Sequence, residues 1–371
     1  MQVTALTDEQ QALRDVTRDV LDTESPPSAV RVLTDGHTPV DDKLWRIGGE
    51  LGWFGLESPE SAGGSGQTFL ETAIVLRELG RAAAPGPFLS QVITTAVLGS
   101  VPDHPISRSW LDRLCAGEAR GAVVLGVLDA AGRRQLPIRA ERTGGGVTLR
   151  GRQTDVPDVD LADVVLVAAA GEDGPILAAV TEPRDALGAV WQPTHDRTRR
   201  LVDVTLDGVS VSSAAILAEG PNAAALLDAA WQRGIVGLAL DGAGGAAVLV
   251  ERTVGYTSQR VQYGRPIATF QAVKHTCADM FVESEVARIA ADAAVLEIVA
   301  GDEAGRRFWS AVAKFRACDA YAKVAGDALQ MHGGIGMTWE FDLHIWLKRA
   351  KLNQALWGSS DAHRAVVTRL V

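Results

Sequence analysis

Cysteine is scarce in this sequence, lysine is scarce beside arginine, and positive charge falls short of negative. The three cysteines, Cys115, Cys277 and Cys318, stand far apart and form neither a CxxC pair nor a Cys/His cluster. That spacing excludes a disulfide framework and a zinc site, and the seven histidines show no metal-ligand spacing either. Six lysines face thirty arginines, and acidic residues outnumber basic ones to leave a formal charge of -10. A chain this acidic is not built around a nucleic-acid backbone or an anionic membrane, although a local basic pocket for a phosphorylated ligand remains open. The opening MQVTALTDEQQ is polar and has no apolar signal core, so a cytoplasmic address is expected. Long hydrophobic runs are missing too. The longest, Gly234 to Val250, is broken by Asp241 and rich in glycine. It is too short for a membrane span and fits a helix buried on all sides inside a large domain.

What is present is an ordinary folded composition, 47% hydrophobic and 22% charged over 371 residues, enough for roughly two or three domains. The pattern changes twice along the chain. Up to about residue 117 it is helical: Thr7 with Gln10 three positions on makes a capping-box start, and Leu13, Val16 and Val20 then recur at helical spacing. Residues 118–218 hold short β-type runs at Gly121–Leu128, Arg139–Leu149, Val164–Ala169 and Ile176–Thr181. Leu201–Leu206 and Val209–Val211 flank Asp207-Gly208 and predict a hairpin. From 219 to 371 four long periodic segments, about Ala223–Arg260, Ala268–Ala300, Ala304–Met331 and Phe341–Trp357, predict an antiparallel bundle. The expected architecture is an N-terminal α-helical domain (1–117), a middle β-barrel or sandwich domain (118–218) and a C-terminal four-helix bundle (219–371).

Two motifs stand in the bundle. Arg260-Val261-Gln262-Tyr263-Gly264-Arg265-Pro266-Ile267 runs on to Phe270-Gln271 and His275, and Gln330-Met331-His332-Gly333-Gly334-Ile335-Gly336 follows later. Each ends a long helix and opens a loop. The glycines let backbone N–H groups approach a phosphate closely, and Arg260 is a bidentate donor suited to a pyrophosphate. Taken together and in this order, they resemble the acyl-CoA dehydrogenase family. Its RxQFGxPIxxFQ signature matches Arg260 to Gln271 with Tyr263 in place of Phe, and its QxxGGxG loop matches Gln330, Gly333, Gly334 and Gly336. Glu78-Leu79-Gly80 and the α–β–α order agree.

The resemblance implies FAD as cofactor and an acyl-CoA thioester as substrate, with an electron-transfer flavoprotein as electron acceptor. Arg260, Gln262, Tyr263 and Gln271 are then expected at the FAD pyrophosphate and adenosine arm. Gln330, Gly333 and Gly334 are expected to reach an FAD held mainly by an adjoining subunit, in a dimer or an α2β2 tetramer. The chemistry requires a carboxylate to remove the α proton, a flavin to accept the β hydride, and donors for the developing enolate oxygen.

The carboxylate is where this sequence departs. The commonest family base, a Glu directly before Gly-Thr, is replaced by Trp357 before Gly358-Ser359. The alternative base position, on the first bundle helix, falls at Gly234 beside Arg233. Asp241, seven residues later on the same helical face, is an acid in an apolar segment. It is read either as a catalytic or substrate-site acid, or as a structural acid paired with an Arg or capping a helix. Asp361 is a surface or capping group, or the acid of a flavoprotein of the nitroalkane oxidase type. The family's TEPxAGSD and KxWIT segments are also missing. Leu125–Ala130 and Gly151–Pro157 stand in their place, with Thr154 as a weak stand-in for the flavin hydrogen-bond donor.

These losses resemble the smaller, degenerate subunits of actinobacterial heteromeric acyl-CoA dehydrogenases, which act on bulky, often steroid-derived thioesters. The expected function is therefore that of a subunit whose partner supplies the base. The alternatives are a self-sufficient dehydrogenase using Asp241, or a non-catalytic or other-substrate relative of the same fold. His275 and His332 are read as packing or hydrogen-bonding groups near FAD, with a proton shuttle as the alternative, Glu340 as a local pairing group, and Lys348 and Arg349 as surface or interface charges.

Overall fold

The computed structural model describes residues 6–36, 40–338 and 341–371. Trp339 and Glu340, just after the glycine loop, lie outside the described residues. Helices come first: α1 (Asp8–Glu24), α2 (Pro27–Asp35), α3 (Asp42–Glu50), α4 (Phe69–Arg81), α5 (Phe88–Gly99) and α6 (Pro105–Cys115). The capping box forms as expected. Thr7 Oγ1 accepts from the Gln10 N–H at 3.2 Å, and Gln10 Oε1 accepts from the Thr7 N–H at 3.0 Å.

Strands follow: β1 (Gly121–Val124), β2 (Val127–Leu128), β3 (Arg134–Gln135), β4 (Arg139–Thr143), β5 (Gly146–Pro157), β6 (Val164–Gly171) and β7 (Gly174–Val180). After the short α7 (Pro183–Ala186) come β8 (Val190–Gln192), β9 (Leu201–Ser212) and β10 (Ile216–Glu219). The last third is helical: α8 (Gly220–Gln259), a small hairpin of β11 (Val261–Gln262) and β12 (Arg265–Pro266), α9 (Gln271–Ala300), α10 (Glu303–His332), α11 (Leu343–Ala355) and α12 (Ser360–Leu370). The helical, β, helical order is the expected one. The segment expected over Phe341–Trp357 stops at Ala355, and a turn separates it from α12.

The chain packs as two compact units, residues 38–72 with 85–234, and residues 1–37 with 73–84 and 235–371. The first is built around an eight-stranded sheet in the order β10-β7-β6-β4-β5-β9-β8, with β1 beside β6 in parallel. Alternating apolar residues of β5 and β9 (Val147, Leu149; Val202, Val204, Leu206) and the nearly continuous apolar run of β6 form its core. One expectation fails here. Asp207-Gly208 does not turn a hairpin; β9 runs straight through it. Leu149 pairs with Val209 and Arg150 with Asp207, so Gly208, at φ +77°, is the extra residue of a β-bulge. A left-handed glycine serves a bulge as well as a turn, and the long partner strand β5 decides between them.

The second unit packs α9, α10 and residues 235–259 of α8 around Val248, Leu249, Met280, Tyr321, Val324, Ala328 and Trp346. Packing against α4 requires one glycine of the apolar stretch, Gly244 of α8, and one of α4, Gly80. A Cβ on Gly80 would strike the Asp241 backbone, and one on Gly244 would strike the Arg77 carbonyl, so the two helices cross at backbone contact. Among the described residues α8 is the helix long and apolar enough to cross a membrane, and most of its apolar stretch is buried in the protein.

Candidate active site

The two motifs meet at neighbouring helix ends. Tyr256, one turn before the end of α8, stacks on His332 at the end of α10 with ring centroids 4.2 Å apart, and Phe341 closes the cluster. Arg260 follows Tyr256 by one turn and Gly333 follows His332 directly, so this stack joins the helix ends from which the two motifs run on. The β11–β12 hairpin turns at Tyr263 and Gly264, both with left-handed φ, and Tyr263 is 92% exposed. Its ring meets Phe270 edge-on, and the Arg265 guanidinium lies 4.3 Å over Phe270. Phe270 precedes α9, whose first turn carries Gln271 and has no side-chain cap.

Arg260, Gln262, Tyr263, Gln271, Gln330, Gly333 and Gly334 are all exposed on the unit that carries them. Among the described residues, no heavy atom beyond the adjoining residues of the chain lies within 4 Å of where a Cβ would stand on Gly264, Gly333 or Gly334. Open backbone, a guanidinium, three exposed carboxamides and an uncapped helix start fit the pyrophosphate arm of FAD. His332 is not a proton shuttle in this state. Its Nδ1–H donates to the Ala328 carbonyl at 2.7 Å, and burial, with Arg252 nearby, holds its pKa below that of an ordinary imidazole. His275 is exposed on α9.

The acids take other partners. Asp241 is buried and bound to Arg349 through Nε–H (3.0 Å) and Nη2–H (2.5 Å) on Oδ2, while the Asn353 amide donates to Oδ1 at 2.6 Å. Arg349 also donates to the Ala84 carbonyl at 3.1 Å. The expectation that Arg349 is a surface or interface charge is thereby corrected: it is as buried as its acid. Asp361 is exposed in the first turn of α12 and pairs with Arg364. Gly234 has no side chain to offer. Its neighbour Arg233 grips Glu57 with Nε–H at 2.9 Å and Nη2–H at 2.6 Å. Glu57 is a carboxylate that sequence reading missed, because nothing in the local pattern links residue 57 to residue 233.

In the β-sheet unit, Gln153 is buried and its amide both accepts from the Gly126 N–H (3.0 Å) and donates to the Gly126 carbonyl (3.2 Å). Arg134, on the β2–β3 hairpin, donates to the Leu227 carbonyl and to Asp228. Thr154 is exposed. The segments standing where the family's flavin-ring motifs belong are thus tied to one another and to α8 by their own polar groups.

Around position 357 lies a group of residues the sequence did not mark. Trp357 is 8% exposed with φ +54° in the turn between α11 and α12. Lys314 of α10, fully buried, donates from Nζ to the Gly358 carbonyl (3.1 Å) and the Gln354 carbonyl (3.4 Å). His363 Nε2–H donates to the Trp357 carbonyl at 3.0 Å, and burial beside the Lys314 charge holds its pKa down at about 3.

Comparison with known proteins agrees with this reading. The family profile described as "Acyl-CoA dehydrogenase, N-terminal domain" matches residues 7–118, and "Acyl-CoA dehydrogenase, C-terminal domain" matches residues 227–371. The acyl-CoA dehydrogenase IpdE2 of Mycolicibacterium smegmatis is 31% identical over 357 residues, covering 95% of this chain and 96% of its own. Among solved structures, a variant of the steroid ACAD Tcur3481-Tcur3483 superposes with a TM-score of 0.86 at 28% identity, over 98% of this chain and 97% of that one. The ChsE4-ChsE5 complex from Mycobacterium tuberculosis superposes with a TM-score of 0.89 at 25% identity, over 100% and 98%. With both terminal domains matched and a relative alignable over nearly the whole length, the chain belongs to the acyl-CoA dehydrogenase family of FAD-dependent oxidoreductases acting on CH–CH donors.

Proposed function

We propose that this chain is the base-deficient subunit of a heteromeric acyl-CoA dehydrogenase, in which a homologous partner supplies the carboxylate that removes the α proton. One observation carries the reading. Both family base positions hold groups that cannot accept a proton, Trp357 and Gly234, and the acid next considered, Asp241, is engaged by Arg349 and Asn353. A carboxylate committed to a buried guanidinium is a poor general base, since taking a proton would leave Arg349 as an uncompensated buried charge.

The bundle surface supports the other half of the proposal. Arg260, Gln262, Tyr263 and Gln271, with Gln330, Gly333 and Gly334, would hold the pyrophosphate and adenosine arm of FAD by charge and by close backbone approach. Bound FAD would accept the β hydride, and an electron-transfer flavoprotein would take the electrons onward. Exposed apolar side chains on the same unit, Val261, Tyr263, Phe281, Val282, Ile289 and Ile335, are the kind of surface that a partner subunit covers. A bulky, steroid-derived acyl-CoA is the proposed substrate class, in keeping with the steroid enzyme among the structural relatives.

The test is to purify the chain alone and together with a homologue that carries a Glu at the position of Trp357. Flavin content is recorded, and acyl-CoA is then added without oxygen. Flavin reduction only in the mixed preparation supports the proposal; reduction by the chain alone refutes it.

A further inference from the structure

Two buried ionisable side chains, an acid and an amine, grip one stretch of chain from different helices. Asp241 of α8 holds Arg349 and Asn353 of α11. Lys314 of α10 holds the carbonyls of Gln354 and Gly358, immediately beyond. His363 takes the carbonyl between them, that of Trp357. Asp319, five residues after Lys314, accepts from the Gln354 amide at 2.8 Å and the Ser360 hydroxyl at 2.6 Å. The last turns of α11 and the turn that follows are therefore held from three helices, with Trp357 at left-handed φ in the middle.

Stability alone does not account for this arrangement. A buried charge is costly, and an apolar side chain of similar volume is often as stabilising or more so. Lys314 makes no ion pair among the described residues; its donors go to two carbonyls that straddle position 357. Burial lowers its pKa, and an uncharged amine still carries enough N–H groups for both carbonyls. What such a lysine secures is the geometry of one turn.

We propose that Asp241 and Lys314 are positioning residues for position 357: together they fix the α11–α12 turn so that it presents a single side chain in a single geometry. This inference rests on the reading of 357 as the family's base position. In this chain the side chain presented is an indole, and the same holder turns it into a fixed apolar wall. The burial of Asp241 thereby gains a role that is neither proton transfer nor packing.

The test uses the full chain with FAD, labelled with 5-fluorotryptophan. Of the nine tryptophans, Trp357 is assigned by the resonance that disappears in Trp357→Phe. In Lys314→Met, which keeps the length and loses the donors, the Trp357 line is expected to shift or split while those of Trp45 and Trp53, in the other compact unit, stay in place. Asp241→Asn is expected to move the same line. A folded Lys314→Met protein whose Trp357 line is single and unmoved overturns the role of Lys314, and the same result in Asp241→Asn overturns that of Asp241. A merely structural residue would lower the unfolding midpoint without moving that line.

Should either variant fail to fold, hydrogen exchange of the wild-type peptide spanning 354–360 decides. Exchange as slow as that of α11 is expected, and exchange on the order of tenfold or more faster contradicts a held turn. Neither readout depends on turnover, so a failure of the partner-base proposal and a failure of this one are distinguishable.

Discussion

Arg349 and Asp241 neutralise each other inside the helical unit, with Nη2 2.5 Å from Oδ2 and both side chains about 5% exposed. Removing the cation leaves the buried carboxylate, which also accepts from the Asn353 amide, without the guanidinium that balances its charge. Arg349→Ala is expected to cost roughly 3–5 kcal/mol of stability. Asp241→Leu combined with Arg349→Met should be less destabilised than Arg349→Ala, because no uncompensated charge remains. Urea unfolding of the single and double variants measures both, and a double variant at least as unstable as Arg349→Ala would show that the loss does not come from an uncompensated charge.

Asp241→Asn separates positioning from proton transfer. If Asp241 is not the base, the substituted complex still reduces its flavin, more slowly, with the acid limb of its pH–rate profile at the same pH. Loss of that limb together with the activity would make Asp241 the base.

The Arg233–Glu57 pair yields a second check on where the base resides. Glu57→Gln keeps acceptors for Arg233 and removes the charge. Flavin reduction by the complex should survive the change, because the abstracting carboxylate is assigned to the partner. Its abolition, with FAD content intact, would point to Glu57 instead.

Stability should fall with acid in a window set by His363. Its folded pKa, about 3, lies well below the value of 6.5 expected when unfolded. The neutral form is thus favoured by folding, and stability present above pH 6.5 is lost as the pH falls toward 3. The loss amounts to roughly 1.4 kcal/mol per pH unit once the unfolded imidazole is protonated. His332 and His344, also pushed down by burial, steepen the slope. Urea midpoints at pH 7 and pH 5 for wild type and His363→Gln test this. A shallower acid dependence in the variant is expected, and identical slopes would contradict it.

Arg260→Ala should weaken FAD retention by roughly ten- to a hundredfold, the loss of one charge-assisted donor pair, without changing the fold. Flavin content after gel filtration, read against circular dichroism, reports it; full retention would detach Arg260 from the pyrophosphate arm.

The helical, β, helical order was legible because hydrophobic period and turn residues agree over long segments, and because Thr7 and Gln10 announce their cap locally. The cofactor motifs were legible as motifs, but not their meeting, which depends on Tyr256 stacking against a histidine far along the chain. Asp207-Gly208 misled because a local turn signal cannot reveal that β5 is long enough to pair on both sides of it. Arg349, Lys314 and Glu57 were opaque for a common reason. A charged residue amid alanines and leucines looks the same whether its partner is water or a group on another helix. Trp357 is the instructive opposite: its sequence position exposed the missing carboxylate, while only the structure revealed the clamp around it.

Anaerobic titration of the purified chain with acyl-CoA decides whether the chain carries a base of its own. An unchanged flavin absorbance band is expected for the chain alone, and loss of that band once the Glu-bearing partner is present. Loss of the band with the chain alone would contradict this expectation.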